Sequence, residues 1–302
     1  MAKQATKEIP PLVKSDADLP ELHEGIGTEI VEAKESLPAA YGDDAGLGAL
    51  DNVGQDETKV PFFRILQSLS PEVQEQKIAG AKAGMILNTA TQETFDGKKG
   101  LLFVPAVRQH NYAKFIIRDA GGGFEGLLDP NDPYVGDCKA RADRQFKEGR
   151  RPFDSRFGKL PTEDATKELV STFYLYGVLV SPETQIPQRG MIAFASAQTK
   201  GYQVIITRLM SMLMKAGDKY VPYPMWAHRW VMTTYLDKNK KGSFFNWQPG
   251  LLGESQQTAL MQPGDMLYQM ARALFVEHRA GMLKPAYEQQ EAPEPGSDDG
   301  EM

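Results

Sequence analysis

The stretch "ELVSTFYLYGVLV", residues 168–180, is the most apolar strand-like run in the chain. It is rich in Val, Tyr, Phe and Thr, the residues that fit a pleated surface. Period-two alternation places Tyr174 and Tyr176 on one side and Phe173 and Leu175 on the other. The turn-rich connection "SPETQIPQRG" follows, and then "MIAFASA", residues 191–197, which reads as its antiparallel partner. A sheet built around this pair decides the fold class.

Working outward, "VPFFRILQSL" (60–69) is β-like. In "GMILNTATQETFDGKKGLLFVPAVR" (84–108), Asp96-Gly97 marks a tight turn between two strand-like runs and predicts a hairpin. "YAKFIIRD" (112–119) is a further strand, ended by Gly121-Gly122-Gly123. Residues 128–168 carry four prolines and read as loops with one short helix near 139–148. "GYQVIITRLMSMLMKAG" (201–217) has a helical stripe of Val204, Ile205, Leu209, Met212 and Leu213, stopped by Gly217. "WAHRWVMTTY" (226–235) alternates as a strand, and "GSFFNWQ" (242–248) pairs with it across "LDKNKKG". Met266, Leu267, Met270, Ala271, Leu274 and Phe275 define a C-terminal helix over 265–280, with Pro263 as its start signal.

Strands dominate, there is no βαβ alternation, and no internal repeat is visible. The expectation is a mainly β (α+β) protein: an OB-like antiparallel barrel with long loops, a flanking helix and a C-terminal helix. The same pattern also fits a sandwich. Residues 1–57 and 288–302 lack periodicity, are poor in aromatics and are expected to be disordered acidic segments on either side of a 58–287 domain.

The net charge of -6 conceals a segregation. Residues 1–57 hold 13 acids and four lysines, and residues 288–302 hold six acids and no base. The middle of the chain is therefore basic, which points to a polyanion as partner. Acidic termini also serve solubility, which is the blander account of the same asymmetry. The single cysteine, Cys138, rules out an intramolecular disulfide and fits a reducing cytoplasm. The polar start of the chain lacks the apolar core of a secretory signal, and no apolar run reaches membrane-spanning length, so no membrane association is expected. No nucleophile elbow, P-loop, dinucleotide fingerprint or zinc-protease motif is present, and the four histidines show no metal-pair spacing. A binding protein without cofactor, metal or catalytic residues is expected.

Cations mixed with flat rings suit a single nucleic-acid strand, which needs charge for phosphates and π-faces for bases. On 108–118 the candidates are Arg108, Tyr112, Lys114 and Arg118; Tyr112, Lys114 and Arg118 share a side opposite Phe115 and Ile117. Tyr174 and Tyr176 lie together on the central run, and Trp226 and Arg229 belong to "WAHRW". Lys238, Lys240, Lys241, Phe245 and Trp247 crowd the turn "KNKKGSFFNW", where Phe245 and Trp247 share one face and one face must be core. Residues 139–159 add eight bases against three acids, with Phe146, Phe153 and Phe157 interleaved.

Four segments, "VPFFRILQSLSPEV" (60–73), "AGMILNT" (83–89), "IAFASAQTKGYQ" (192–203) and "HRWVMTTYLDKNKKGSFFNW" (228–247), resemble the OB-fold single-stranded DNA-binding proteins of bacteriophages. The likeness spans roughly 58–250. It implies that "SAQTKGYQ", with Lys200, opens a helix flanking the barrel, and that "KNKKGSFFNW" is the last hairpin. The acidic tail is similar to those by which single-strand binding proteins engage replication or recombination partners, but it ends "DDGEM" without a terminal Pro-Phe. The expected function is non-sequence-specific single-stranded DNA binding in phage replication or recombination, in the host cytoplasm. The alternatives are a virion assembly or structural protein and a strand-annealing recombination protein.

Overall fold

The computed structural model describes residues 60–149, 158–239, 242–253 and 255–281. The expected terminal segments 1–57 and 288–302 lie outside the described residues. The described residues are mostly β, with antiparallel sheets and a few helices.

The central pair is β4 (Leu101–Ile116) and β7 (Lys167–Val180), antiparallel along nearly their whole length. β8 (Pro187–Ala195) pairs with the far side of β7, as expected from its sequence. β11 (Trp230–Asn239) joins the start of β4, and β12 (Gly242–Leu251) joins β11 in the expected hairpin, with Trp247 opposite Thr234. β5 (Gly123–Leu128) continues the sheet beside the end of β4, and β6 (Lys159–Pro161) beside the start of β7. These seven strands form an open path, and the pairing among the described residues does not close into a barrel.

Two smaller sheets complete the β structure among the described residues. β1 (Phe63–Ile65), β2 (Ile86–Asn88) and β3 (Thr94–Phe95) form one, and β9 (Leu213–Ala216) with β10 (Lys219–Pro222) forms a separate hairpin. The helices are α1 (Pro71–Gln74), α2 (Pro133–Lys147), α3 (Thr199–Ser211), α4 (Gln256–Ala259) and α5 (Met266–Arg279).

From Tyr174 to Val180 β7 is buried on both faces, in keeping with the almost continuously apolar sequence there. On one face Phe103, Leu175, Leu179, Ile192 and Phe194 pack under α3 and the β1–β3 sheet. On the other, Leu102, Val104, Tyr174, Tyr176 and Val178 pack under α5, through its stripe of Leu267, Ala271 and Leu274. Gly177 sits where β4 comes closest: a Cβ there would lie 2.2 Å from the Val104 carbonyl oxygen.

Four sequence expectations need correction. Asp96-Gly97 does turn, but it carries the chain from β3 to β4 in different sheets, so no hairpin forms there; β3 pairs with β2 instead. "LLFVPAVR" and the "YAKFI" of the next run belong to one 16-residue strand, which ends at Ile116. α2 begins at Pro133, six residues before the expected short helix. Asp132 caps it by accepting a bond from the Tyr134 N–H at 2.8 Å, and proline is welcome in the first helical turn. The helix of 201–217 stops at Ser211, because Met212 turns extended and "LMKAGDKYVP" forms the β9–β10 hairpin.

Candidate nucleic-acid interface

The site grows from a β-bulge. Proline cannot donate to a ladder and is tolerated in a central strand chiefly at bulges. In β4, Pro105 faces Gly177 and Val107 faces Tyr176, leaving Ala106 as the extra residue. Ala106 and Val107 therefore both face α5. Beyond them Arg108, His110, Tyr112 and Lys114 turn to the α3 face, opposite Leu175, Phe173, Ser171 and Leu169.

There the rings form a row. Tyr202 of α3 stacks on Phe173 with centroids 4.3 Å apart and planes 12° apart. Phe173 stacks on His110 at 4.3 Å and 16°. His110 meets Tyr112 at 5.3 Å, tilted by 49°. Inward, Tyr202 leads to Phe194 at 5.9 Å and Phe194 to Trp247 at 6.5 Å. The row thus runs from the sealed core to a half-exposed rim at His110 and Phe173.

Cations flank the rim. Arg108 is exposed; its Nε donates to the Tyr202 hydroxyl and its guanidinium carbon lies 6.0 Å from that ring's centroid. Lys139, on the exposed side of α2, stands 5.2 Å from the Tyr112 ring. Neither has a carboxylate partner among the described residues. His110 contacts Ser171 Oγ at 2.9 Å. Its pKa lies below the ordinary histidine value, first because it is buried against the row and then because of Arg108 and Lys139; Asp129 opposes the shift. His110 is therefore a neutral ring at neutral pH.

The fourteen candidates divide clearly. Arg108, Tyr112 and Lys114 share this face. Tyr112 is 8% exposed, however, and packs with Val135 and Cys138 of α2. Lys114 is ion-paired with Glu125 at 3.3 Å and lies 5.2 Å from the Tyr134 ring. Lys200 opens α3, two residues before Tyr202, and pairs with Asp237 at 3.7 Å beside the exposed Lys238.

Other candidates are core rather than surface. Trp247 is 2% exposed and belongs to the cluster under α3, so the shared face of Phe245 and Trp247 is the core face. Phe245 is half-buried over Gly84, its backbone N–H and C=O both bonded to the Gln67 side chain at 2.8 Å. Tyr174 and Tyr176 lie on the opposite face of the sheet, buried under α5. Trp226 packs on Phe275 at 4.8 Å, on that same side, and Arg229 is tied to the Thr258 carbonyl at 2.9 Å. Period-two alternation cannot distinguish a strand face that meets a helix from one that meets ligand. Arg118 falls in a 3-10 turn (Arg118–Ala120) with its side chain outside the description, and Lys240 and Lys241 lie outside the described residues.

Sequence reasoning missed His110, Phe173, Tyr202 and Lys139. The usable signal was Pro105 inside an otherwise regular strand, which marks the change of phase. Among the described residues there is no group of three or more His, Cys, Asp or Glu residues that could hold a metal, and no helix is long and apolar enough to cross a membrane.

The chain is a phage protein. It belongs to the Pam3 phage gp34-like protein family, whose model matches residues 31–284. Among curated proteins and among solved structures, no match was found.

Proposed function

We propose that this protein binds single-stranded DNA without sequence specificity, in phage replication or recombination within the host cytoplasm. One observation carries the reading: the row Tyr202–Phe173–His110–Tyr112, half-exposed at its rim and bordered by the cations Arg108 and Lys139, which have no carboxylate partner among the described residues. Phosphates pair with the cations. Bases lie against the ring edges, which carry the positive end of the ring quadrupole and suit base carbonyls. The basic middle of the chain supplies long-range attraction, and the acidic tail is left for protein partners. The reading does not need barrel closure, because an open sheet offers the same flat face that the resemblance to OB-fold proteins implies.

The test is anisotropy of labelled oligo-dT over a salt series. Affinity falls with salt, with a log–log slope of roughly -0.7 for each phosphate neutralised. Arg108→Ala combined with Lys139→Ala makes the slope shallower by about 1.4, the share of two phosphate contacts. A salt response identical in the double variant and the parent protein removes this face as the binding site.

A further inference from the structure

The ring row lacks a free π-face. Phe173 is covered on both sides, by Tyr202 and by His110, and Tyr112 is covered by Lys139. Base stacking, the sequence-tolerant contribution to single-strand binding, needs a ring open to solvent. One such ring stands on the small hairpin at the end of α3.

β9 and β10 are joined by the two-residue loop Gly217-Asp218, with Gly217 at φ +61°, the positive φ that a type II′ hairpin uses at its first loop position. The base of the hairpin is anchored in the core: Met212 is 3% exposed, and the Tyr223 N–H donates to the Met212 carbonyl at 3.3 Å. The remainder projects as an isolated two-stranded sheet. Tyr220 is 71% exposed and makes no ring contact or hydrogen bond among the described residues. Its cross-strand neighbour on the same face is Lys215, and Lys219 precedes it. Arg208, in the last turn of α3, is exposed as well. None of the three cations is ion-paired among the described residues, and Asp218 is the only acid on the hairpin. Leu213, two residues from Lys215 on the same strand, is 46% exposed, and Met210 in the last turn of α3 is 69% exposed.

We propose that the β9–β10 hairpin is a second contact for single-stranded DNA, in which Tyr220 stacks on a base while Lys215, Lys219 and Arg208 meet the adjoining phosphates. This rests on the function proposed above. The occupant follows from charge complementarity: an open ring accompanied by cations that have no ion-pair partner among the described residues matches a base between phosphates, whereas a second copy of this chain would leave those cations facing one another. The hairpin and the ring row are joined by α3, which carries Tyr202 near its start and runs into β9 at its end. A strand that follows α3 touches both.

The test uses the full chain and labelled oligo-dT. Tyr220→Ala weakens binding about tenfold, the order expected for one stacked base. Tyr220→Trp retains affinity and supplies an exposed indole, whose emission is quenched on binding; Trp230 and Trp247 are buried and contribute little to that change. If the parent protein binds and Arg108→Ala weakens it, while Tyr220→Ala binds as the parent does and the new indole is not quenched, the hairpin is not a contact and the ring-row reading stands. If the parent protein does not bind oligo-dT at all, the proposed function fails and the hairpin contact with it. Sedimentation of free Tyr220→Ala as a smaller species than the parent shows a face for self-association and overturns the assignment.

Discussion

β4 and β7 run side by side through two different environments. Inside the bulge, Leu102, Val104, Val178 and Leu179 are sealed from both sides, by α5 and by α3 with the β1–β3 sheet. Beyond it, Arg108, His110 and Phe173 belong to the same two strands but keep a rim open to solvent. The secondary structure is identical in both halves, so the difference lies in what covers them. In the inner half a helix closes each face. In the outer half α2 packs on Tyr112 and Leu169 and α3 supplies Tyr202, while His110 and Phe173 stay partly exposed. Exposure of one face is set by the spacing of the helices above it, and the bulge decides which side chains that face receives.

Two single-residue deletions break the comparison most severely. Removing Gln109 shifts the rest of β4 by one position against β7. His110, Tyr112 and Lys114 then turn to the α5 side, and Asn111, Ala113 and Phe115 take their places. We expect this variant to lose its cooperative urea transition. Removing Ala106 takes out only the bulged residue, so Pro105 and Val107 still meet Gly177 and Tyr176 in register and every side chain keeps its face. That variant keeps a cooperative transition at a lower midpoint. Equal damage from both deletions would mean that the bulge does not set the phase.

The next contrast lies along the ring row itself, between its two ends. Trp247 is sealed in the core, and Trp247→Ala is expected to cost about 3–5 kcal/mol of stability in urea denaturation, through lost burial and the cavity left behind. His110 is at the rim, and His110→Ala is expected to cost about 1 kcal/mol or less, in keeping with a half-exposed side chain that has one hydroxyl partner. A Trp247 variant as stable as the parent would place the indole outside the core.

Much of the sheet was legible in the sequence. The pairing of 168–180 with 191–197, the β11–β12 hairpin and the C-terminal helix each follow from local pattern plus a turn signal, and local pattern is what a sequence displays directly. The candidate site was legible only in part. Tyr112 and Lys114 were placed on one strand face, because alternation holds within a continuous stretch; Arg108 was named as a candidate without a face. His110 falls on the same alternating face as Tyr112 but was not singled out, and Phe173 was not found because its stacking on Tyr202 depends on the arrival of a distant helix. Tyr174, Tyr176 and Trp247 were misread for a related reason. An aromatic residue in a strand has the same period whether a helix or a ligand covers it, and the covering element lies far away in the chain. Trp226 shows this most plainly, since the ring that packs on it, Phe275, comes from α5.

The two histidines extend the comparison to pH, where the expected effect is smallest. His228 belongs to the sealed half: it is 0% exposed, its ring stands edge-on to Tyr223 at 5.0 Å, and neither nitrogen has a hydrogen-bond partner among the described residues. Burial alone holds its pKa below the ordinary value. His110 is lowered too, but it keeps Ser171 as a partner and a path to water. For either residue the unfolded chain takes up a proton first, near pH 6.5, so the unfolded state binds more protons as the solution is acidified. The stability contributed by the neutral buried ring is therefore complete above that pH. It declines as pH falls toward the lowered pKa of the folded state, and below that pKa the loss is constant. A proton on His228 has no acceptor to share it, whereas a proton on His110 is partly solvated, so His228 should account for most of the slope. His228→Phe keeps a ring of similar size against Tyr223 and abolishes the titration. Thermal melts between pH 5 and pH 7.5 should therefore show a flatter midpoint-versus-pH curve for His228→Phe than for His110→Phe. If His110→Phe gives the flatter curve, the rim is drier than its exposure indicates, and the division of these strands into a sealed half and an open half fails at that residue.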